Sequence, residues 1–317
     1  MKISRRAAMD VGLLVIVNSM WAAQYAAYKI ATAKMGPVTV SAWTFLMASL
    51  ALLPFLTIEH RRSQATKGSD QSTLDRAAWS GRDVFGFVVI GVAGLIPASA
   101  VLAWGIDRST ASNAALIYLT VPILTAVLAS LILRERMTLV RWASLAVSLI
   151  GVLILSDINW RQLALANSRF LFGNVLVLGA CACSAFYNVY CKGLLRRFTP
   201  LEVLVYGYLI ALAVSLPLLV WVEPLSGEAI RGYGLRVWVA LAVLSIFSWG
   251  LAMVLWMFLL KRLDVSQASV SIYLLPFLGV LISAITLKER ITPAMIVGGF
   301  ITLAGTILIT SFEPTSS

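Results

Sequence analysis

Few side chains in this chain could do chemistry inside an apolar segment, and their spacing is helical. Asn18, Trp21, Tyr25 and Tyr28 recur at i, i+3, i+7 and i+10, which places them on one face of a helix. Cys181, Ser184, Asn188 and Cys191 repeat that pattern at a constant offset (184−21 and 188−25 are both 163). Gln24 and Tyr187 are paired by the same offset on a neighbouring face. Polar groups are costly toward lipid, so such faces should look inward. Two readings follow: the side chains line a path for a small organic solute, or they hydrogen-bond neighbouring helices together. A second group comprises Asn113 and Tyr118 in one apolar run and Gln267 and Tyr273 in another. Asn113 and Gln267 are amides at matched positions (267−113 is 154), whereas Tyr118 and Tyr273 differ by one register. Trp249 and Met253 share a face with Ser245 and Trp256, a combination suited to a permissive pocket for an apolar or aromatic group, or to plain core packing. The candidate substrate-binding set is therefore Trp21, Gln24, Tyr25, Asn113, Tyr118, Ser184, Tyr187, Asn188, Trp249, Met253, Gln267 and Tyr273.

The elements that carry these residues must be membrane helices. The chain is 60% hydrophobic and 12% charged, with a mean hydropathy of +0.90. Soluble domains run at about 45–50% apolar and about 25% charged, so a soluble fold could not hide this surface. The net charge of +11 sits in short turns between apolar runs, which argues for membrane orientation rather than for a nucleic-acid partner. Ten runs have the length of a membrane span, roughly 18–24 residues. They are Met9–Tyr28, Val38–Leu56, Val84–Trp104, Ala111–Leu133, Thr138–Leu155, Leu171–Tyr190, Leu201–Trp221, Val237–Leu260, Val265–Leu287 and Thr292–Thr310. The polar stretch Ile58–Arg82 reads as a surface loop. The apolar N-terminus resembles a signal peptide, but Asp10, Asn18 and Gln24 favour a retained first span.

An internal repeat organises these spans. Ser112–Gly151 matches Ser266–Gly305 without a gap, with Pro122 over Pro276, Glu135 over Glu289 and Arg136 over Arg290, each 154 residues apart. Earlier in each half, Lys29 matches Lys192, Pro37 matches Pro200 and Pro54 matches Pro217, each 163 apart. Residues 1–156 and 157–317 are thus two related halves. Five spans per half is odd, so the copies must be inverted relative to each other, a recurring transporter arrangement. Most of the 25 Lys and Arg residues, including Arg5, Arg61, Arg134, Arg141, Lys192, Arg196, Lys261 and Arg262, fall on the side of the N-terminus. This predicts both termini in the cytoplasm, and for a bacterial source the cytoplasmic membrane is the expected location.

Ten spans in two halves, each with a Pro-containing fourth span and a closing Arg134-Glu135-Arg136 or Lys288-Glu289-Arg290 turn, resemble the EamA-type members of the drug/metabolite transporter superfamily. The Trp21…Lys29 stretch resembles that family's opening. The resemblance covers roughly Met9 to Thr310. It implies a secondary transporter, often an exporter of amino acids or other small metabolites, with a cavity lined mainly by spans one, three, four, six, eight and nine. A multidrug or sugar/nucleotide-type carrier on the same fold, or a non-transporting membrane subunit, are the alternatives.

The remaining residues set expectations about mechanism. The fourteen Asp and Glu residues fall in loops or at span ends, with Asp10 nearest an interior position. A proton pump usually carries an ionisable relay within the membrane, so facilitated transport or exchange of a net-neutral solute is expected. His60 stands alone, and Cys181, Cys183 and Cys191 share one segment without metal-ligand spacing, so neither a metal nor a cofactor is expected. Nothing resembles a catalytic set, so no enzyme activity is expected. The two charged triplets should end a helix and hold the next by ion pairing, with a gating salt bridge as the alternative. Pro122 and Pro276 act as hinges or as fixed kinks. Gly298, Gly299, Gly305, Ser144 and Ser148 allow close helix approach, or a homodimer through spans five and ten.

Overall fold

In a computed structural model of the full chain, residues 5–66, 80–108, 117–155, 168–223, 227–278 and 293–312 are described. All regular structure among the described residues is helical. Among the described residues six helices are long and apolar enough to cross a membrane: α1 (Arg5–Thr32), α2 (Pro37–Thr66), α3 (Gly81–Gly105), α6 (Ser168–Leu194), α7 (Pro200–Val222) and α8 (Gly234–Arg262). Four are shorter and apolar: α4 (Val121–Leu133), α5 (Leu139–Leu155), α9 (Val265–Leu278) and α10 (Pro293–Phe312). Helices are the expected outcome, because a backbone in hydrocarbon must satisfy its polar groups within its own segment.

Local signals explain the boundaries. Ser80 and Asp83 form a reciprocal capping box at the start of α3, and Thr199 and Glu202 do the same for α7 with Pro200 in the first turn. α4 ends at Arg134, which adopts a left-handed backbone (φ 58°). The loop expected from Ile58 begins instead as helix, since α2 continues to Thr66. The reason is tertiary: Glu59 accepts a hydrogen bond from Thr199 Oγ1 (3.3 Å), and His60 Nε2 lies 2.9 Å from Glu202 Oε1, so the polar end of α2 is held against the start of α7.

The helices pack in matched pairs. α2 lies along α7, α5 along α10, α1 against α8, α3 against α6, and α4 against α9. Two of these pairs touch through residues at the same position of the two sequence copies. Phe45 stacks on Tyr208 with ring centroids 5.6 Å apart (208−45 is 163). Ser148 Oγ donates to the Thr302 carbonyl at 3.4 Å, across 154 residues. A Cβ on Gly151 would sit 2.6 Å from the backbone nitrogen of Thr302 and 2.8 Å from the Gly298 carbonyl, and one on Gly305 would strike Ser148. The small faces of spans five and ten therefore meet each other within one chain.

Ion pairs mark one end of this bundle, the end that holds the start of α1. Asp10 faces Arg262 at 3.8 Å, Arg141 binds Asp264 at 2.5 Å, and Arg197 binds Asp83 at 2.6 Å. At the opposite end, Glu223 accepts from the backbone nitrogens of Val38 and Thr39 (3.2 and 2.9 Å) and from Thr39 Oγ1 (2.9 Å), capping α2.

Candidate functional site

A cavity of about 90 Å³ opens between the two halves. Its walls are Trp21 and Tyr28 of α1, Leu95, Ala98 and Leu102 of α3, Tyr118 ahead of α4, Ser184, Tyr187 and Asn188 of α6, Trp249 and Met253 of α8, and Ile272 and Leu275 of α9. No Asp, Glu, Lys, Arg or His is among these described lining residues. A larger depression of about 610 Å³ lies on the outer flank of α1 and α8, but it is shallow and almost wholly apolar, with Arg236 as the one charged residue among the described lining residues. The enclosed cavity carries the polar chemistry.

Helix geometry explains how the walls form. Trp21 and Tyr28 are two turns apart on one face of α1, as Ser184 and Asn188 are near neighbours on one face of α6. Both α3 and α8 contain π-helical turns, at Ile90–Leu95 and Pro97–Val101 in one and Val243–Ala252 in the other. Such turns insert an extra residue, rotate the face that follows, and are frequent at functional sites. Here they occur at corresponding places in the two halves, and each carries residues to the cavity: Leu95 and Ala98 from α3, Trp249 from α8.

A buried aromatic frame stands behind the lining. Trp256, fully buried, donates its indole N–H to Asn188 Oδ1 at 3.0 Å and packs against Trp21 with centroids 5.1 Å apart. Trp249 donates its indole N–H to the Tyr28 hydroxyl at 3.2 Å, and its carbonyl accepts from the Tyr208 hydroxyl at 2.7 Å. Phe45 meets Trp249 edge-on at 5.5 Å. The Tyr187 hydroxyl is buried with no nitrogen or oxygen partner among the described residues.

The structure brings together Trp21, Tyr118, Ser184, Tyr187, Asn188, Trp249 and Met253 from the candidate set. Asn113 and the side chains of Gln24 and Tyr25 lie outside the described residues. Gln267 and Tyr273, expected at the cavity, are placed elsewhere. Gln267 Oε1 accepts from the Asp264 backbone at 3.1 Å, closing the capping box that starts α9. Tyr273 is fully buried, packs with Ala126, Leu145 and Ile309, and donates to the Leu119 carbonyl at 3.1 Å. Amide and phenol each satisfy a backbone group, the packing alternative. Asn18 follows the same rule, donating to the Leu14 carbonyl (2.7 Å) and to Ser271 Oγ (3.0 Å). The reverse error concerns Leu95, Ala98, Leu102, Ile272 and Leu275, apolar wall residues that give no polar signal in the sequence.

The carboxylates at the end holding the start of α1 are the larger surprise. Glu135, Asp264 and Arg141 sit at span ends in the sequence, yet their side chains are only 5%, 4% and 1% exposed. Glu135 accepts from the Val265 nitrogen (2.8 Å), the Ser266 nitrogen (3.1 Å) and Ser266 Oγ (2.6 Å), so it caps α9 rather than α5. It also lies 3.6 Å from Arg141, which does hold the following helix. Arg141 reaches Ser266 Oγ at 2.9 Å as well as Asp264. Lys192 completes the closure, donating to the carbonyls of Leu260 (2.5 Å) and Leu263 (2.8 Å) at the end of α8. Lys288, Glu289 and Arg290 lie outside the described residues.

Apolar helices around an enclosed polar-aromatic cavity, closed at one end by buried ion pairs, define a multi-pass membrane protein of the transporter type. The chain belongs to the EamA-like transporter family, whose profile matches residues 9–157 and again residues 171–311. It is 26% identical over 303 residues to a "Probable terminal-alkyne amino-acid exporter" of Streptantibioticus cattleyicolor, covering 94% of this chain and 92% of the relative. It is also 26% identical over 286 residues to an "Uncharacterized transporter YyaM" of Bacillus subtilis, covering 87% of each. A protein of known crystal structure superposes with a TM-score of 0.72 at 17% identity, covering 96% of both chains, which shows the shared fold.

Proposed function

We propose that this protein is a secondary transporter that exports a small organic metabolite, an amino acid or a related compound, across the cytoplasmic membrane by alternating access. The observation that carries the reading is the cavity itself. It lies between the two halves, and matched positions of the two copies supply its walls: Trp21 of α1 corresponds to Ser184 of α6 by the 163-residue offset, and Leu95 of α3 to Trp249 of α8 by the 154-residue offset. Ten spans in two inverted repeats with both termini cytoplasmic is the topology that goes with it. Contacts between equivalent residues, Phe45 with Tyr208 and Ser148 with Thr302, support a two-fold axis through the bundle, because only residues near such an axis meet their own counterparts. The two separate family matches support the division into halves. The amino-acid class rests on the name of one relative and on a cavity of aromatic and amide groups without charge among the described lining residues. Self-association through spans five and ten would use their outer sides, such as Trp142 and Phe300, because the small faces are occupied within the chain.

The test is counterflow in proteoliposomes loaded with a mixed pool of amino acids and small metabolites. Uptake of a labelled amino acid that a pH gradient leaves unchanged supports exchange or facilitated transport. Gradient-driven accumulation points to Asp10, which is buried and whose Oδ1 has no hydrogen-bond partner among the described residues. Absence of uptake for every amino acid in the pool rejects the substrate class.

A further inference from the structure

Resting on the transporter reading above, we infer that the cavity is polarised as a hydrogen-bond donor, so that it selects the carboxylate of its substrate, with Asn188 and Tyr28 as the selecting groups and Trp256 and Trp249 as positioning residues behind them. An indole nitrogen can only donate. The Trp256 N–H, 3.0 Å from Asn188 Oδ1, therefore fixes which way the amide faces: its oxygen is engaged and its NH₂ remains for the cavity. The Trp249 N–H, 3.2 Å from the Tyr28 oxygen, acts in the same sense, leaving the phenolic proton to donate. Tyr187 adds a third hydroxyl on the same wall, beside the Cys191 thiol. Two independent indole donors have thus consumed acceptor capacity at two lining groups, and no carboxylate or imidazole among the described lining residues restores it.

A carboxylate has acceptor oxygens and no proton to give, which complements this lining. Carboxylates held by two or three N–H or O–H donors are stable as anions in partly buried sites. A bare ammonium has only donors, and the described lining offers it hydroxyl oxygens and ring faces but no carboxylate. Trp256 does not line the cavity, so its effect on selection passes through the Asn188 amide.

The experiment uses the purified full-length chain and two five-carbon probes, sodium pentanoate and pentylamine. Both are titrated against intrinsic tryptophan fluorescence, since Trp21 and Trp249 line the cavity. Charge-assisted hydrogen bonds correspond to about tenfold to a hundredfold in affinity, so pentanoate should bind at least tenfold tighter than pentylamine. Asn188→Asp keeps an acceptor for Trp256 but turns the cavity-facing donor into an acceptor, and should invert the order. Trp256→Phe keeps the ring against Trp21, releases the amide to rotate, and should reduce the acid-to-amine ratio rather than weaken both probes equally. Equal or tighter binding of pentylamine by the unmodified chain, an unchanged ratio in Trp256→Phe, or no saturable signal with either probe would overturn the inference. Counterflow of labelled L-norvaline is measured in parallel. Its failure beside an intact pentanoate preference counts against the transporter reading and not against the donor polarity.

Discussion

Replacing Arg141 with Met should unfold one end of the bundle, and replacing its partner as well should largely repair it. The guanidinium is 1% exposed and binds Asp264 at 2.5 Å, Ser266 Oγ at 2.9 Å and Glu135 at 3.6 Å. Glu135 keeps three donors from Val265 and Ser266 when Arg141 is lost, so it stays satisfied. Asp264 keeps its capping-box bond at the start of α9, but its carboxylate, 4% exposed, loses the guanidinium that pairs with it at 2.5 Å. Removing one partner of a buried pair costs about 3–5 kcal/mol, whereas exchanging both for uncharged residues is often neutral or better. The choice of substitutes is set by the chain itself, because the other sequence copy has Met295 in the place of Arg141 and Thr110 in the place of Asp264 (offset 154). Arg141→Met should therefore lower thermal stability of the detergent-solubilised protein sharply. Arg141→Met/Asp264→Thr should recover more than half of the loss, giving a strongly non-additive double-mutant cycle. A stable Arg141→Met variant, or a double variant as unstable as the two single changes summed, would refute the claim that this pair is desolvated and coupled.

Three further outcomes can be checked directly. Gly151→Val should destabilise by about 1–3 kcal/mol and separate α5 from α10, because even a Cβ there lies 2.6 Å from the Thr302 backbone; a thermal melt unchanged from the parent would contradict the close approach. Glu223→Ala removes three hydrogen bonds from the start of α2 and should cost about 1–2 kcal/mol, read as faster amide exchange at Val38 and Thr39. Trp21→Ala empties one cavity wall and undoes the packing on Trp256, so counterflow should fall by tenfold or more in protein that still purifies as a single species; undiminished rates would remove Trp21 from the path.

The helices were legible in the sequence because a twenty-residue apolar run has few other uses. The bounds of α6, α7 and α8 lie within four residues of the expected spans, while the rest of span nine beyond Leu278 and the start of span four lie outside the described residues. The cavity was half legible. Trp21, Ser184 and Asn188 could be found because a polar or aromatic group inside an apolar run needs a reason. Gln267 and Tyr273 carried the same signal for a different reason, a backbone donor and a backbone carbonyl that needed partners. Composition cannot separate the two cases, since substrate and backbone make the same demand on an amide. Leu95 and Leu102 carried no signal at all. Their role depends on π-helical turns that rotate α3, and those follow from packing rather than from local preference.

The buried charges show why a position at a span end is a poor guide to exposure. Glu135 and Arg141 are separated by a turn that sequence alone places at the membrane surface, yet α9 begins directly over them and removes them from water. Its first backbone nitrogens are unsatisfied donors with a partial positive charge, and a carboxylate answers both needs at once. Glu223 answers the same need for α2 at the opposite end. The sequence differs between the copies at the matched cation position. Arg141 pairs Asp264 at one end, while the sequence supplies Met295 and Thr110 for the corresponding positions of the other copy. Under the alternating-access reading, two copies of one unit would begin with two closures of equal strength. A charge pair between the copies at one end, without its counterpart in the sequence at the symmetry-related positions, breaks that degeneracy and favours the conformation in which its own end is shut. The same double substitution that restores stability should then also equalise the ends. A cysteine at Ser184, in a background with Cys181, Cys183 and Cys191 replaced by alanine, should gain labelling by an impermeant thiol reagent from the side of the N-terminus. Labelling unchanged by the double substitution would make the pair a structural tie with no part in opening.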